Sequence, residues 1–275
     1  MQSASSLNFN HALQQTLHAR RSLLCVGLDP DLKKLPASLP RSAEGVTRFC
    51  QEIIAATHEF AAAFKINFAF FEALGKAGWS ALETVAASLP DEVIKIADAK
   101  RGDVGHTAQL YAEAIFRQLP FDAMTANPYL GEDAALPFLE DAKKGIFFLC
   151  RTSNPGSGAI QHFPDRTRPL YLHIAAQVRE WNKNGNAGLV VGATHPRELQ
   201  ETRKISPDLP FLIPGVGAQG GDLETAVRLG ATATGDLALI NSSRSILYAD
   251  SGNGFAEAAA REALKLRKEM RAVVK

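Results

Sequence analysis

Val93-Ile94-Lys95-Ile96-Ala97-Asp98-Ala99-Lys100-Arg101-Gly102-Asp103 is the stretch that decides the fold. Its first half reads as a buried strand, and its second half sets two carboxylates around one ammonium. Strand side chains alternate between faces, so Ile94, Ile96, Asp98 and Lys100 are expected on one face, with the charged pair following the apolar pair. Charges are costly to bury unless they are paired. Parallel α/β folds keep their active sites at the carboxyl ends of their strands, where this pair falls. A surface turn with an incidental ion pair would use the same residues, and the rest of the chain weighs against it.

Working outward, short apolar runs alternate with longer helical patterns. Candidate strands are 22–28, 61–68, 92–99, 121–126, 145–150, 187–192, 210–214 and 237–241. Helical patterns cover 45–59, 80–88, 106–118, 170–181, 196–203, 221–229 and 254–271, after an amphipathic opening at 9–20. Eight βα units predict a (β/α)8 TIM barrel with an extra N-terminal helix. No Ser/Gly/Pro-rich linker divides the chain, so residues 1–275 are expected to form a single barrel domain rather than a two-domain doubly wound arrangement. The longest irregular piece, 151–168, contains Asn154-Pro155-Gly156-Ser157-Gly158 and has the length of a binding loop.

Composition narrows the function. The 275 residues are 46% hydrophobic, enough for a full core, and 30 Lys plus Arg nearly balance 29 Asp plus Glu. No global field would draw the chain to nucleic acid or an anionic membrane, so an anionic ligand must be held by local groups. The opening 22 residues lack a basic region followed by an apolar one, and no run of about 18 apolar residues occurs, so a cytoplasmic protein is expected. Cys25, Cys50 and Cys150 are odd in number, widely spaced and flanked by apolar residues, which fits reduced packing residues rather than a disulfide framework or zinc site.

Unusual polar residues recur where these strands end. The first ends in Gly27-Leu28-Asp29-Pro30, the second carries Lys65 and Asn67, the third delivers Asp98 and Lys100, and the fifth leads into Thr152-Ser153-Asn154. In a barrel, Asp29, Lys65, Asp98, Lys100 and Ser153 converge on one mouth. After the seventh strand, Pro214-Gly215-Val216-Gly217-Ala218-Gln219-Gly220-Gly221-Asp222 is a glycine-rich turn opening a helix, suited to close approach of backbone N–H groups to an anion. The eighth ends in Asn241-Ser242-Ser243-Arg244-Ser245, whose guanidinium can fork two phosphate oxygens. Loops after strands seven and eight are the frequent phosphate site of such barrels. Gly215 to Gly220 also matches G-x-G-x-x-G, but lies too late in the chain to open a dinucleotide fold. His106, His162, His173 and His195 lack the spacing of a metal triad, and Thr194-His195-Pro196 reads as a helix start.

Asp98-x-Lys100-x-x-Asp103 with Thr107, a lysine on strand two, Asn127-Pro128-Tyr129-Leu130-Gly131, Arg151-Thr152-Ser153-Asn154-Pro155-Gly156, Pro214 to Gln219 and the Ser243-Arg244 pair together resemble the orotidine 5'-phosphate decarboxylases, in their longer bacterial branch. The resemblance spans the chain. It implies a cofactor-independent, metal-free carboxy-lyase that converts orotidine 5'-phosphate to UMP and CO2 in de novo pyrimidine nucleotide biosynthesis. Lys65, Asp98, Lys100 and Asp103 would form an alternating charge network, with Asp103 given to the neighbouring subunit of a homodimer. Asp29 and Lys65 would hold ribose hydroxyls, joined by Thr107 of the partner. Ser153 would bond the pyrimidine amide, and Gln219 with Ser243 and Arg244 would seat the phosphate. Ser243 stands where shorter relatives have glycine, and His106 is bulkier than the small residue expected.

Losing CO2 from carbon six of the pyrimidine leaves an in-plane lone pair that the ring π-system cannot delocalise. A fixed ammonium beside that carbon stabilises the charge and then supplies the proton, the role implied for Lys100. Two rivals share the barrel. A sugar-phosphate decarboxylase or aldolase would hold a divalent metal on carboxylates of strands one to three and would want a Glu near Asp29 or Asp98. The second strand instead offers Lys65 and Asn67 at the mouth, and two lysines would repel a metal. A non-catalytic nucleotide-binding barrel would not need the Lys/Asp set.

Overall fold

The structure, a computed structural model, describes residues 8–217 and 220–274. Among them, eight strands pair in parallel, in chain order, and close on themselves. They are β1 (Leu24–Leu28), β2 (Ala63–Asn67), β3 (Ile94–Arg101), β4 (Ala123–Ala126), β5 (Gly145–Arg151), β6 (Ala187–Val191), β7 (Phe211–Ile213) and β8 (Ala238–Ser242). Every residue of β1 and of β6 is buried, as a strand requires when one face fills a barrel and the other lies under helices. The chain is therefore the (β/α)8 barrel that its strand pattern predicts.

Helix α1 (Phe9–Arg20) precedes the barrel. It is followed by α2 (Ala43–Thr57), α3 (Phe68–Glu72), α4 (Gly75–Ala87), α5 (Gly105–Glu113), α6 (Glu132–Leu139), α7 (Gly158–Gln161), α8 (Leu170–Trp181), α9 (Pro196–Ile205), α10 (Leu223–Gly230), α11 (Arg244–Leu247) and α12 (Phe255–Val273). Local chemistry sets the ends. Ser42 accepts from the Gly45 N–H at the start of α2, and Asp222 accepts from the Thr225 N–H at the start of α10. Phe9, Leu13 and Leu17 form the buried stripe of α1, four residues apart. The Phe9 ring meets Phe147 edge-on at 6.0 Å and fills the space that a Cβ on Gly145 would need. Gly145 begins β5, so α1 closes the amino end of the barrel and leaves the carboxyl end to the ligand.

The differences from expectation are local. Strand β3 runs two residues past its expected end at Ala99, to Arg101. Helices α3 and α6 carry no strong periodic signal, and α6 contains Pro137, which reads as a breaker in sequence. The pattern at 106–118 divides into α5 and a π-helical turn, Ala114–Gln118. The expected irregular piece 151–168 holds a short 3₁₀ turn, Pro155–Ser157, and α7. All three cysteines are free and buried, and burial pushes the Cys25 thiol up to about 12, so it packs rather than reacts.

Candidate active site

Lys65 lies mid-strand in β2, in register with Gly27 of β1 and Ile96 of β3. Its neighbours Phe64 and Ile66 are fully buried, and alternation turns Lys65 itself to the barrel interior, where it is 4% exposed. Such burial needs counter-charge. Lys65 Nζ donates to Asp98 Oδ2 at 2.8 Å and lies 3.7 Å from Asp29 Oδ1. Burial works against the ammonium, but the Asp98 and Asp29 carboxylates outweigh it and hold the Lys65 pKa above the ordinary lysine value.

Asp98 is the hub. Its Oδ1 accepts from Lys100 Nζ at 2.6 Å and from Thr125 Oγ1 at 2.9 Å, while Oδ2 accepts from Lys65. Burial alone would raise its pKa, yet the two lysines hold it well below the usual carboxylate range. Lys100 does not follow simple strand alternation: its φ is +48°, and the β3–β4 register shifts between Ala97 and Arg101. The expected shared face of Asp98 and Lys100 is thus reached through a bulge. The Lys100 side chain remains half exposed, at 49%.

These groups line a cavity of about 280 Å³ at the carboxyl end of the barrel, floored by Leu149, Val190 and Leu212. Asp29, Lys65, Asp98, Lys100, Ser153, Ser243 and Arg244, each singled out in the sequence, all lie on its wall. Asp29 Oδ1 is buried without a hydrogen-bond partner, so it can accept from a ligand hydroxyl. Tyr248 fixes the loop behind it, its hydroxyl donating to the Asp29 carbonyl at 3.0 Å and accepting from the Asp31 N–H at 2.8 Å.

Ser153 is carried by a loop that is itself cross-braced. Arg151, 2% exposed, donates through Nη1 to the Thr152 carbonyl at 2.8 Å, to Ser157 Oγ at 2.5 Å and to Gln161 Oε1 at 3.1 Å. Gly215, Val216, Ser243 and Arg244 line the cavity beyond the ends of the paired strands β7 and β8. Gly215 and Gly217 have φ of +99° and +71°, open to glycine and strained for other residues. Ser243 has a structural complement: a Cβ on Gly27 would meet Ser243 Oγ at 2.0 Å. Gly27 leaves the room that the Ser243 hydroxyl occupies.

The profile of the orotidine 5'-phosphate decarboxylase / HUMPS family matches residues 22–260. The chain belongs to this family. It is 51% identical over 270 residues to the orotidine 5'-phosphate decarboxylase of Roseiflexus sp. strain RS-1, covering 98% of this chain and 99% of that one. Its structure is similar to that of Leishmania donovani OMP decarboxylase, with a TM-score of 0.85 and 40% identity over 97% of this chain and 98% of the other. It also matches Leishmania donovani UMP synthase, with a TM-score of 0.87 and 41% identity over 98% of this chain, but spans only 57% of that longer protein.

Not every family position converges within one chain. Asp103 is half-buried outside the cavity, its Oδ1 accepting from the Val104 N–H at 2.8 Å, and Thr107 is exposed on α5. Gln219 lies outside the described residues. His106 is exposed on the first turn of α5, with Nδ1 3.3 Å from Gln109 Oε1, so its bulk does not intrude on the cavity wall. Sequence reasoning missed Thr125, which lines the cavity and touches both Asp98 and Lys100. Only its position on β4, beside the charged end of β3, could have singled it out.

Proposed function

We propose that this carboxy-lyase converts orotidine 5'-phosphate to UMP and CO2, with Lys100 as the proton donor. The observation that carries the reading is the Lys65–Asp98–Lys100 row of contacts, at 2.8 and 2.6 Å, on one wall of a cavity that also holds Arg244. With the phosphate at Gly215, Ser243 and Arg244, and the ribose at Asp29 and Lys65, the pyrimidine reaches Ser153 and its carbon six faces Lys100. The bond from carbon six to the carboxylate then breaks and its electron pair stays on the ring. CO2 departs, and Lys100 Nζ gives that carbon its proton and recovers one from solvent. The ammonium is already held when charge develops, so the site need not reorganise. The step calls for no cofactor.

The working unit in this reading is a homodimer in the cytoplasm, each site completed by Asp103 and Thr107 of a second copy. Half-exposed Lys100 and half-buried Asp103 support this, as do the apolar side chains around the Asp103 loop, with Tyr129 81% and Val104 55% exposed. No described helix is long and apolar enough to cross a membrane.

Loss of the ultraviolet absorbance of orotidine monophosphate on incubation with the protein tests the activity. Turnover that persists in excess chelator separates it from a metal-dependent sugar-phosphate lyase, and unchanged absorbance refutes it. Mixing inactive Asp103→Ala and Lys100→Ala chains tests the shared site. Heterodimers should regain part of the activity, and a mixture as inactive as its components refutes sharing.

A further inference from the structure

Strand β3 spends four residue steps between Ala97 and Arg101 where β4 spends two, between Met124 and Ala126. The excess residues form a bulge that carries Lys100 in a left-handed conformation that side-chain-bearing residues rarely adopt. A bulged N–H loses its ladder partner and needs another. Here that partner is a side chain: the Lys100 N–H donates to Thr125 Oγ1 at 3.0 Å. The same oxygen donates its proton to Asp98 Oδ1 at 2.9 Å, the carboxylate oxygen that receives Lys100 Nζ.

We infer that Thr125 is a positioning residue for the decarboxylation, its hydroxyl fixing at once the backbone of the proton donor and the carboxylate that aims it. The inference rests on the proposed role of Lys100. Thr125 is 1% exposed and is the third of the four residues of β4, where β-branching restricts its first side-chain torsion. Its one proton is committed to Asp98 and a lone pair to Lys100, so it acts through these two groups rather than on the substrate. Valine has nearly the same shape and suits the strand equally well. Thr125→Val therefore removes the two hydrogen bonds and little else.

Without them, the Lys100 backbone is held only by its neighbours, and the ammonium samples positions away from carbon six. Phosphate and ribose contacts are untouched. Thr125→Val should therefore lower kcat by about 10- to 100-fold, the effect of losing a hydrogen bond to a charged group, with KM changed by less than about threefold. Thr125→Ser, which restores the hydroxyl, should return kcat to within about threefold of wild type.

The assay is the absorbance decay of orotidine monophosphate, run on variants whose circular dichroism matches wild type. If the valine variant does not fold, Thr125→Ala compared with Thr125→Ser asks the same question. A wild-type kcat in Thr125→Val, a raised KM with unchanged kcat, or a serine variant no better than valine overturns the inference. A wild-type protein that leaves the substrate unchanged instead overturns the activity itself, so the two failures are told apart.

Discussion

Replacing Lys65 by methionine keeps most of the stem's volume and removes the ammonium held between two carboxylates. Nζ lies 2.8 Å from Asp98 and 3.7 Å from Asp29, with side-chain exposures of 6% for the lysine, 10% for Asp98 and 20% for Asp29. At an effective dielectric of about 20, such pairs attract by about 6 and about 4.5 kcal/mol before desolvation is subtracted. Removing one partner of a buried pair costs about 3–5 kcal/mol net, because a charge is left without compensation. At about 2–4 °C per kcal/mol, Tm should fall by about 6–20 °C near neutral pH.

The pH dependence carries the sign. The Asp98 pKa is depressed in the folded protein, so its pairing stabilises wild type above the unfolded value near about 4 and is lost as pH falls through the folded value. In Lys65→Met that carboxyl protonates more readily, so the Tm gap should narrow on acidification. The Lys65 pKa is raised, so its contribution is complete below about 10.4 and fades as pH climbs through the folded value. The gap narrows there too. Calorimetry from acid below the unfolded carboxylate value to alkali above the unfolded lysine value reads both limbs, and Lys65→Met/Asp98→Asn should recover at least about half of the loss. A gap constant with pH, or a double variant no more stable than the single one, would refute the orphaned-charge argument.

Lys100→Ala should lower kcat by about 10³-fold or more, as expected for removing a positioned acid and its charge, and shift Tm little because its side chain is half exposed. Decarboxylation within tenfold of wild type would remove Lys100 from the proposed role. Arg244→Ala should raise KM by about 10- to 100-fold with a smaller effect on kcat, the loss of a charge-assisted phosphate contact; steady-state kinetics showing the reverse split would contradict it. Gly27→Ala forces its Cβ to within 2.0 Å of Ser243 Oγ. It should cost about 1–3 kcal/mol in denaturant unfolding. Adding Ser243→Gly should restore most of that stability, and strictly additive effects would show that the two positions do not share the space.

Much of this was legible from one rule, that polar residues ending apolar strands gather at one rim. Lys65, Asp98, Ser243 and Arg244 each follow an apolar run and each line the cavity. What escaped the rule depends on backbone or on neighbours distant in sequence. Alternation counts residues evenly, so it could not show that β3 bulges before Lys100. Ala123-Met124-Thr125-Ala126 reads as any buried strand, and Thr125 gains its meaning only from what β3 places against it. The Gly27–Ser243 complement joins the two ends of the chain through the β1–β8 closure of the barrel. Asp103 and Thr107 are singled out by resemblance, but one chain does not display the site they would complete, since that proposed site belongs to a second copy.

In the proposed reading, binding and chemistry fall on separate walls. Within one chain the Asp29, Lys65, Asp98 and Lys100 charges cancel among themselves, and Arg244, which lines the same cavity, adds a positive charge just beyond the end of β8. Arg244, so read, attracts the substrate's phosphate, while the four groups at the reacting end are balanced in charge. On the proposed reading, the phosphate draws the substrate in and sets its carboxylate toward Asp98, a poor neighbour for a second anion. When the carboxylate leaves as neutral CO2 that conflict ends, and the charge passes to a carbon facing Lys100. Interactions that improve along the reaction raise kcat, whereas interactions constant along it act only on binding. Under the proposed mechanism, the Lys100 ammonium, 2.6 Å from Asp98, is of the first kind, and the phosphate contacts of Arg244 are of the second. The two walls should therefore separate cleanly in kinetics, with substitutions near Lys100 acting on kcat and those near Arg244 on KM.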